Sequence, residues 1–225
     1  MTLTADLDFT GQSCFIPIGK MITSGVTSSF NGTFDGNGYM ISGLTINNVE
    51  KGDHDTMHYR NSGLFGIVDG GTIKNVTICD SNITGRVWVG AVAGYCSDSV
   101  ISGCTVLDTV IVGDNSVENQ SAIYVGGIVG QMYDSEIEGS LISSAEITVC
   151  DVYKGSSLYV GGLFGALSFS GSDGYFEIDG ACFDGTIFID VSVSVAKAEI
   201  GGIIGSDFDS STVQTSVVNK CSNGG

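Results

Sequence analysis

A short apolar unit closed by glycine occurs five times along the 225 residues, and it constrains the fold more than any other feature. The units are Gly63-Leu64-Phe65-Gly66, Ala91-Val92-Ala93-Gly94, Gly127-Ile128-Val129-Gly130, Gly162-Leu163-Phe164-Gly165 and Gly202-Ile203-Ile204-Gly205. Their closing glycines stand 28, 36, 35 and 40 residues apart. After each comes a second apolar anchor: Ile73, Ile101, Ile137, Ile178 and Val213. Five residues past the anchor lie Ile78, Val106, Ile142, Phe183 and Val218, and ten past it lie Ile83, Ile111, Ile147 and Phe188. Apolar rows that keep their offsets while the lengths between them vary are the mark of stacked coils, whose core is fixed and whose loops are free to change.

The segments between glycines are four to eight residues long, which suits strands and not helices. Ile and Val together number 45 against 9 Leu and 9 Ala, a balance that favours pleated surfaces over helices. One proline in the whole chain agrees with interior strands whose N–H groups are all needed. Several short strands per repeat, without helical crossovers, predict an all-β parallel solenoid of about five coils. The expected organisation is a single domain: a lead-in segment over 1–49, a polar loop over 50–60 and repeat coils over 61–225. Repeat glycines are expected at corners, either with positive φ or where backbones approach closely.

The run Leu3-Thr4-Ala5-Asp6-Leu7-Asp8, then Phe15-Ile16-Pro17-Ile18-Gly19, then the stretch from Phe30-Asn31-Gly32-Thr33-Phe34-Asp35-Gly36 to Leu44-Thr45-Ile46 resembles the start of GLUG-repeat proteins. The later Gly-Leu-Phe-Gly and Val-Gly-Gly-Ile-Val-Gly units resemble the GLUG repeat itself. The resemblance implies a right-handed parallel β-helix of the kind found in secreted or cell-surface bacterial proteins, including adhesin-like and IgA-peptidase-type chains. It implies an extracellular or surface address and a scaffold without catalytic residues. Ala91 in place of a repeat glycine and an insertion near 168–176 depart from the pattern. Only two residues precede the Leu-Thr-Ala-Asp element and the last coil stops at Gly225, which suggests a piece of a longer chain or a subunit that stacks end to end.

Charge narrows the partners. With 25 acidic and 8 basic residues the net charge is −17, which repels phosphate and so argues against nucleic acid or anionic lipid. No apolar run nears the roughly 18 residues of a membrane helix, so membrane insertion is not expected. A glycan, a host or cell-surface protein, or a second copy of the chain are the expected partners. Seven cysteines without a C-x-x-C pair fall at different offsets in the repeat, so stacked disulfides are not expected.

Aligned on the closing glycine, Arg60, Trp88, Tyr124, Tyr159 and Glu199 share one offset. Alternation with apolar neighbours places Trp88, Tyr124 and Tyr159 on the face away from the core. They are the candidate ligand-binding residues, a stripe on which a sugar ring could lie. The competing reading is structural, in which rings in register on neighbouring strands stack on one another. No catalytic residues, cofactor or metal site are expected. His54 and His58 share one polar loop without the Glu of H-E-x-x-H, and Asp35-Gly36-Asn37-Gly38 lacks the later ligands of a calcium loop. A polysaccharide-cleaving β-helix is the rival, but no basic residue shares a coil offset with a pair of aspartates. A passive end-to-end assembly subunit is the remaining alternative.

Overall fold

β-Branched residues at fixed spacing can bury themselves only if successive coils lie in register, and in the computed structural model they do. The structure describes residues 1–23, 26–49, 60–115, 122–170, 177–208, 217–219 and 222–223. Successive coils contribute short strands to five main sheets, in which they pair in parallel, and the strand Glu177–Asp179 pairs separately with Val217–Asn219. One sheet runs Thr45–Asn47, Asn82–Gly85, Val110–Asp114, Glu146–Cys150, Thr186–Asp190; the next runs Asn61–Ser62, Trp88–Val89, Ala122–Gly126, Ser157–Gly161, Lys197–Gly201. A third runs Phe65–Asp69, Ala93–Ser97, Val129–Tyr133, Phe164–Ser168, Ile204–Phe208. The result is a parallel β-solenoid of about five turns. The segment read as a lead-in belongs to the stack itself: Phe34 pairs with Ile73, Ile41 with Ile78 and Ile46 with Ile83.

The inward rows form the core. Ile73, Ile101 and Ile137 stack in one, and Ile46, Ile83, Ile111, Ile147 and Ile187 in another. Three expected row members are corrected by the register. Val106 pairs with Ser143, not Ile142, so Ser143 is buried and Ile142 faces outward. This row packs against glycines: a Cβ on Gly127 would stand 2.3 Å from the Ser143 Oγ, and one on Gly162 would stand 2.2 Å from the ring of Phe183, the partner of Ser143 in the next coil. Ile147 pairs with Ile187, leaving Phe188 60% exposed. Val218, expected level with Phe183, pairs with Ile178 instead, while Val213 lies outside the described residues.

Corners divide into two chemical types. Asn75, Asp80, Asp98, Asp108, Asp134 and Asp151 all adopt positive φ, the left-handed conformation that short polar side chains tolerate best after glycine. Four of these aspartates precede a buried Ser or Thr whose hydroxyl bonds back to the carbonyl two residues earlier: Ser81 to Cys79 (2.7 Å), Ser99 to Ser97 (2.5 Å), Thr109 to Leu107 (2.8 Å) and Ser135 to Tyr133 (2.8 Å). Part of the acidic excess thus sits where the backbone needs Asx geometry. The closing glycines serve differently. Their φ values are not positive, and a Cβ on Gly94, Gly130 or Gly165 would meet backbone atoms of neighbouring strands at 2.8, 2.6 and 2.4 Å. They permit close approach of one coil to the next. Cys79 pairs with Leu107 and Cys96 with Met132, so no cysteine ladder forms at these positions.

Candidate functional site

The bend around each glycine-closed unit sets the second and third sheets at an angle, and residues pointing away from the core on either side of it meet. On the second sheet that outward row reads Asn61, Trp88, Tyr124, Tyr159, Glu199. Its first member is Asn61 and not Arg60, because the chain is one residue shorter between this strand and the closing glycine in the first unit. On the third sheet the corresponding row reads Ile67, Tyr95, Gln131, Ala166, Ser206.

The three expected aromatics come together. Trp88 and Tyr124 stack with centroids 6.2 Å apart at 13°, and Tyr124 and Tyr159 at 4.9 Å and 16°. In-register stacking of this kind contributes about 0.5–1.5 kcal/mol per pair beyond area burial. The far end is closed. Lys197 Nζ lies 5.8 Å from the Tyr159 ring centroid and 2.6 Å from a Glu199 carboxylate oxygen, and Tyr159 is only 7% exposed. Tyr159 therefore supports the ladder from within and offers no open face, which departs from the expected three-ring platform.

The near end is open. Trp88 also meets Tyr95 across the bend, with centroids 5.5 Å apart, and its Nε1–H donates to Gln131 Oε1 at 2.6 Å. These contacts fix the indole in one orientation. Beside it lies a groove of about 340 Å³ lined by Asn61, Ile67, Asp69, Tyr95, Ser97 and Gln131 together with Trp88. That volume is at the lower end of the range for small-molecule sites. Asn61 is 3% exposed, and neither its amide nitrogen nor its amide oxygen has a hydrogen-bond partner among the described residues. A buried, unmatched amide costs on the order of 1–3 kcal/mol and is worth explaining. Ser97 Oγ–H donates to Asp69 Oδ1 at 2.9 Å, which orients the carboxylate at the groove wall. Burial first, then the neighbouring Tyr133, Cys96 and carboxylates, pushes the Tyr95 phenol up to about 12, so it stays a neutral hydroxyl at physiological pH.

Tyr95, Asn61 and Gln131 escaped the alignment on the aromatic stripe. The available signal was the position one residue after each closing glycine, which yields Ile67, Tyr95 and Gln131 directly. Among the described residues no group of three His, Cys, Asp or Glu is placed to hold a metal ion, and His54 and His58 lie outside the described residues.

No family model matches the chain, and no solved structure matches it. Over 137 residues, 57% of the chain, it is 34% identical to halomucin of Haloquadratum walsbyi. The chain spans about 1% of the length of that protein.

Proposed function

We propose that the chain is a non-catalytic β-solenoid module of an extracellular or cell-surface protein, and that its groove beside Trp88 holds a neutral sugar ring of a glycan. The observation that carries this reading is the juxtaposition of an oriented indole with the unmatched amide of Asn61 in one groove. An aromatic face suits the C–H face of a pyranose, and an amide supplies a donor and an acceptor side by side for neighbouring hydroxyls. Asp69 at the wall and the net charge of −17 disfavour acidic sugars. The likeness to halomucin, whose name places it among mucins, supports the surface address, as does the resemblance of the repeats to GLUG proteins.

The test is a glycan array followed by titration of the retained sugars. Trp88→Ala is expected to weaken binding about tenfold or more, the loss of one stacking face. Tyr159→Ala, which removes a ring with no open face, is expected to lower stability while changing affinity by no more than about twofold. Equal binding by wild type and Trp88→Ala, or no neutral glycan held by the wild type, would sink this reading.

One observation favours a second reading. Ile200 continues the inward row Val89, Val125, Val160, yet is 51% exposed. A groove of about 350 Å³ lined by Phe183, Ile187 and Ile200 lies at this end. An open solenoid edge with apolar residues accepts a further strand readily. In this reading a second copy seats there and the module is an assembly subunit. Sedimentation over a hundredfold concentration range is expected to show association that Ile200→Lys removes; a monomer throughout rejects it.

A further inference from the structure

Eight basic residues serve the whole chain, and two of them, Arg60 and Arg86, lie close enough for the charge on Arg60 to disfavour that on Arg86. Arg86 is 1% exposed, and its Nε, Nη1 and Nη2 all lack a hydrogen-bond partner among the described residues. Arg60 Nε is likewise buried and unmatched. The pairing of Gly85 with Gly113 puts Arg86 level with Asp114 of the next coil, beside Asn115, whose two amide atoms are also buried and unmatched. Trp88 N–H donates to the Arg60 carbonyl at 2.8 Å, which ties the Arg60 coil to the Arg86 coil. Arg60, Arg86 and Asn115 therefore stand on three consecutive coils, with backbones level to within one residue, at the corner between the second sheet and its neighbour.

A guanidinium cannot shed its charge at accessible pH, so burying one without a partner is among the costlier arrangements a protein can hold. The charge of Arg60 nearby adds repulsion. Burial and Arg60 both push the Arg86 guanidinium below its usual range, while Asp114 acts in the other direction. Two lysines show the contrast: Lys74 meets Asp35 at 3.3 Å and Lys197 meets Glu199 at 2.6 Å.

We propose that the Arg60–Arg86–Asn115 corner is an anion-binding site that takes a small oxyanion, with the Arg86 fork as its principal donor. Planar guanidinium donors match carboxylate and sulfate oxygens two at a time, and the Asn115 amide adds a further donor. The site is separate in chemistry from the Trp88 groove, whose wall carries Asp69. A free ion and the acid group of a larger ligand would present the same oxygens to it.

The test measures thermal unfolding of the full chain in acetate, sulfate and chloride at constant ionic strength, for wild type, Arg86→Met and Asn115→Ala. Wild type is expected to gain about 5–10 °C, saturating with acetate or sulfate concentration as single-site linkage requires. Arg86→Met is expected to unfold no lower than wild type in chloride and to lose the saturating response, and Asn115→Ala to weaken it about fivefold or more. Titration with glucuronate separates the two sources: tighter binding than acetate means that the acid of a larger ligand is the occupant, equal binding a free ion. A linear rise with sulfate in wild type and Arg86→Met alike would be a general salt effect and overturns the proposal. So does an Arg86→Met variant that unfolds well below wild type with no anion response in either protein, because Arg86 would then be a structural residue.

Discussion

Gly165→Ala is expected to destabilise the solenoid by at least about 3 kcal/mol, more than most single-atom additions to a protein. The added Cβ would stand 2.4 Å from the Gly130 carbonyl oxygen, 2.6 Å from the Val125 nitrogen and 3.0 Å from the Tyr124 carbonyl carbon. All three are backbone atoms of the preceding coil, so no side chain can rotate away to make room. Moving that backbone also moves Tyr124, the middle ring of the stacked ladder. A contrasting substitution isolates the cause. Gly70 has φ +70° with nothing within 4 Å of where a Cβ would stand, and its neighbours in the same corner row are Asp98 and Asp134, at φ 47° and 44°. Gly70→Asp is expected to cost no more than about 1–2 kcal/mol. Urea midpoints for the two variants compare them directly. If Gly165→Ala proves no worse than Gly70→Asp, close coil approach is not what the closing glycines provide.

That contrast also explains how much of the fold can be read from residues alone. The glycine-closed units and the Ile73, Ile101, Ile137 row are legible because stacking demands the same residue type at the same level in every coil. Ile142 and Phe188 mislead for one physical reason. In a strand a single-residue length change turns every side chain to the opposite face, so an apolar residue at the expected count can point outward while its neighbour fills the row. Ser143 and Ile187 are those neighbours. The corners carry a readable signal that glycine counting overlooks: Asp80-Ser81, Asp98-Ser99, Asp108-Thr109 and Asp134-Ser135 repeat a left-handed turn followed by a buried hydroxyl.

The candidate site divides along the same line. Trp88, Tyr124 and Tyr159 share a row, so periodicity finds them, but it cannot tell which ring is capped. Lys197 and Glu199 close off Tyr159 through contacts specific to their coil. Asn61, Arg86 and Asn115 belong to no row of like residues. Their importance rests on unmatched buried atoms, a property of three-dimensional packing that no spacing encodes.

Ile101→Ala is expected to cost about 2–5 kcal/mol, because Ile101 is fully buried between Ile73 and Ile137 and the cavity cannot collapse against strands held in register on both sides. Ile187→Ala, at the partly buried end of its row, is expected to cost less than about 1.5 kcal/mol. Where in the molecule each loss is felt is as informative as its size. Each coil touches chiefly its neighbours, so stability behaves as a chain of coil and interface contributions, and a lesion near the middle weakens both sides of it. Trp88, the single tryptophan, lies in the same turn as Ile101 and reports that region by fluorescence, whereas far-ultraviolet circular dichroism reports all the sheets. Ile101→Ala should move the Trp88 transition to lower denaturant by more than it moves the dichroism midpoint, separating two curves that coincide in wild type. Ile187→Ala should leave the Trp88 transition in place. Identical shifts of both probes in both variants would mean that the coils unfold as one cooperative block, and that the in-register rows couple the stack along its whole length more strongly than nearest-neighbour contact predicts.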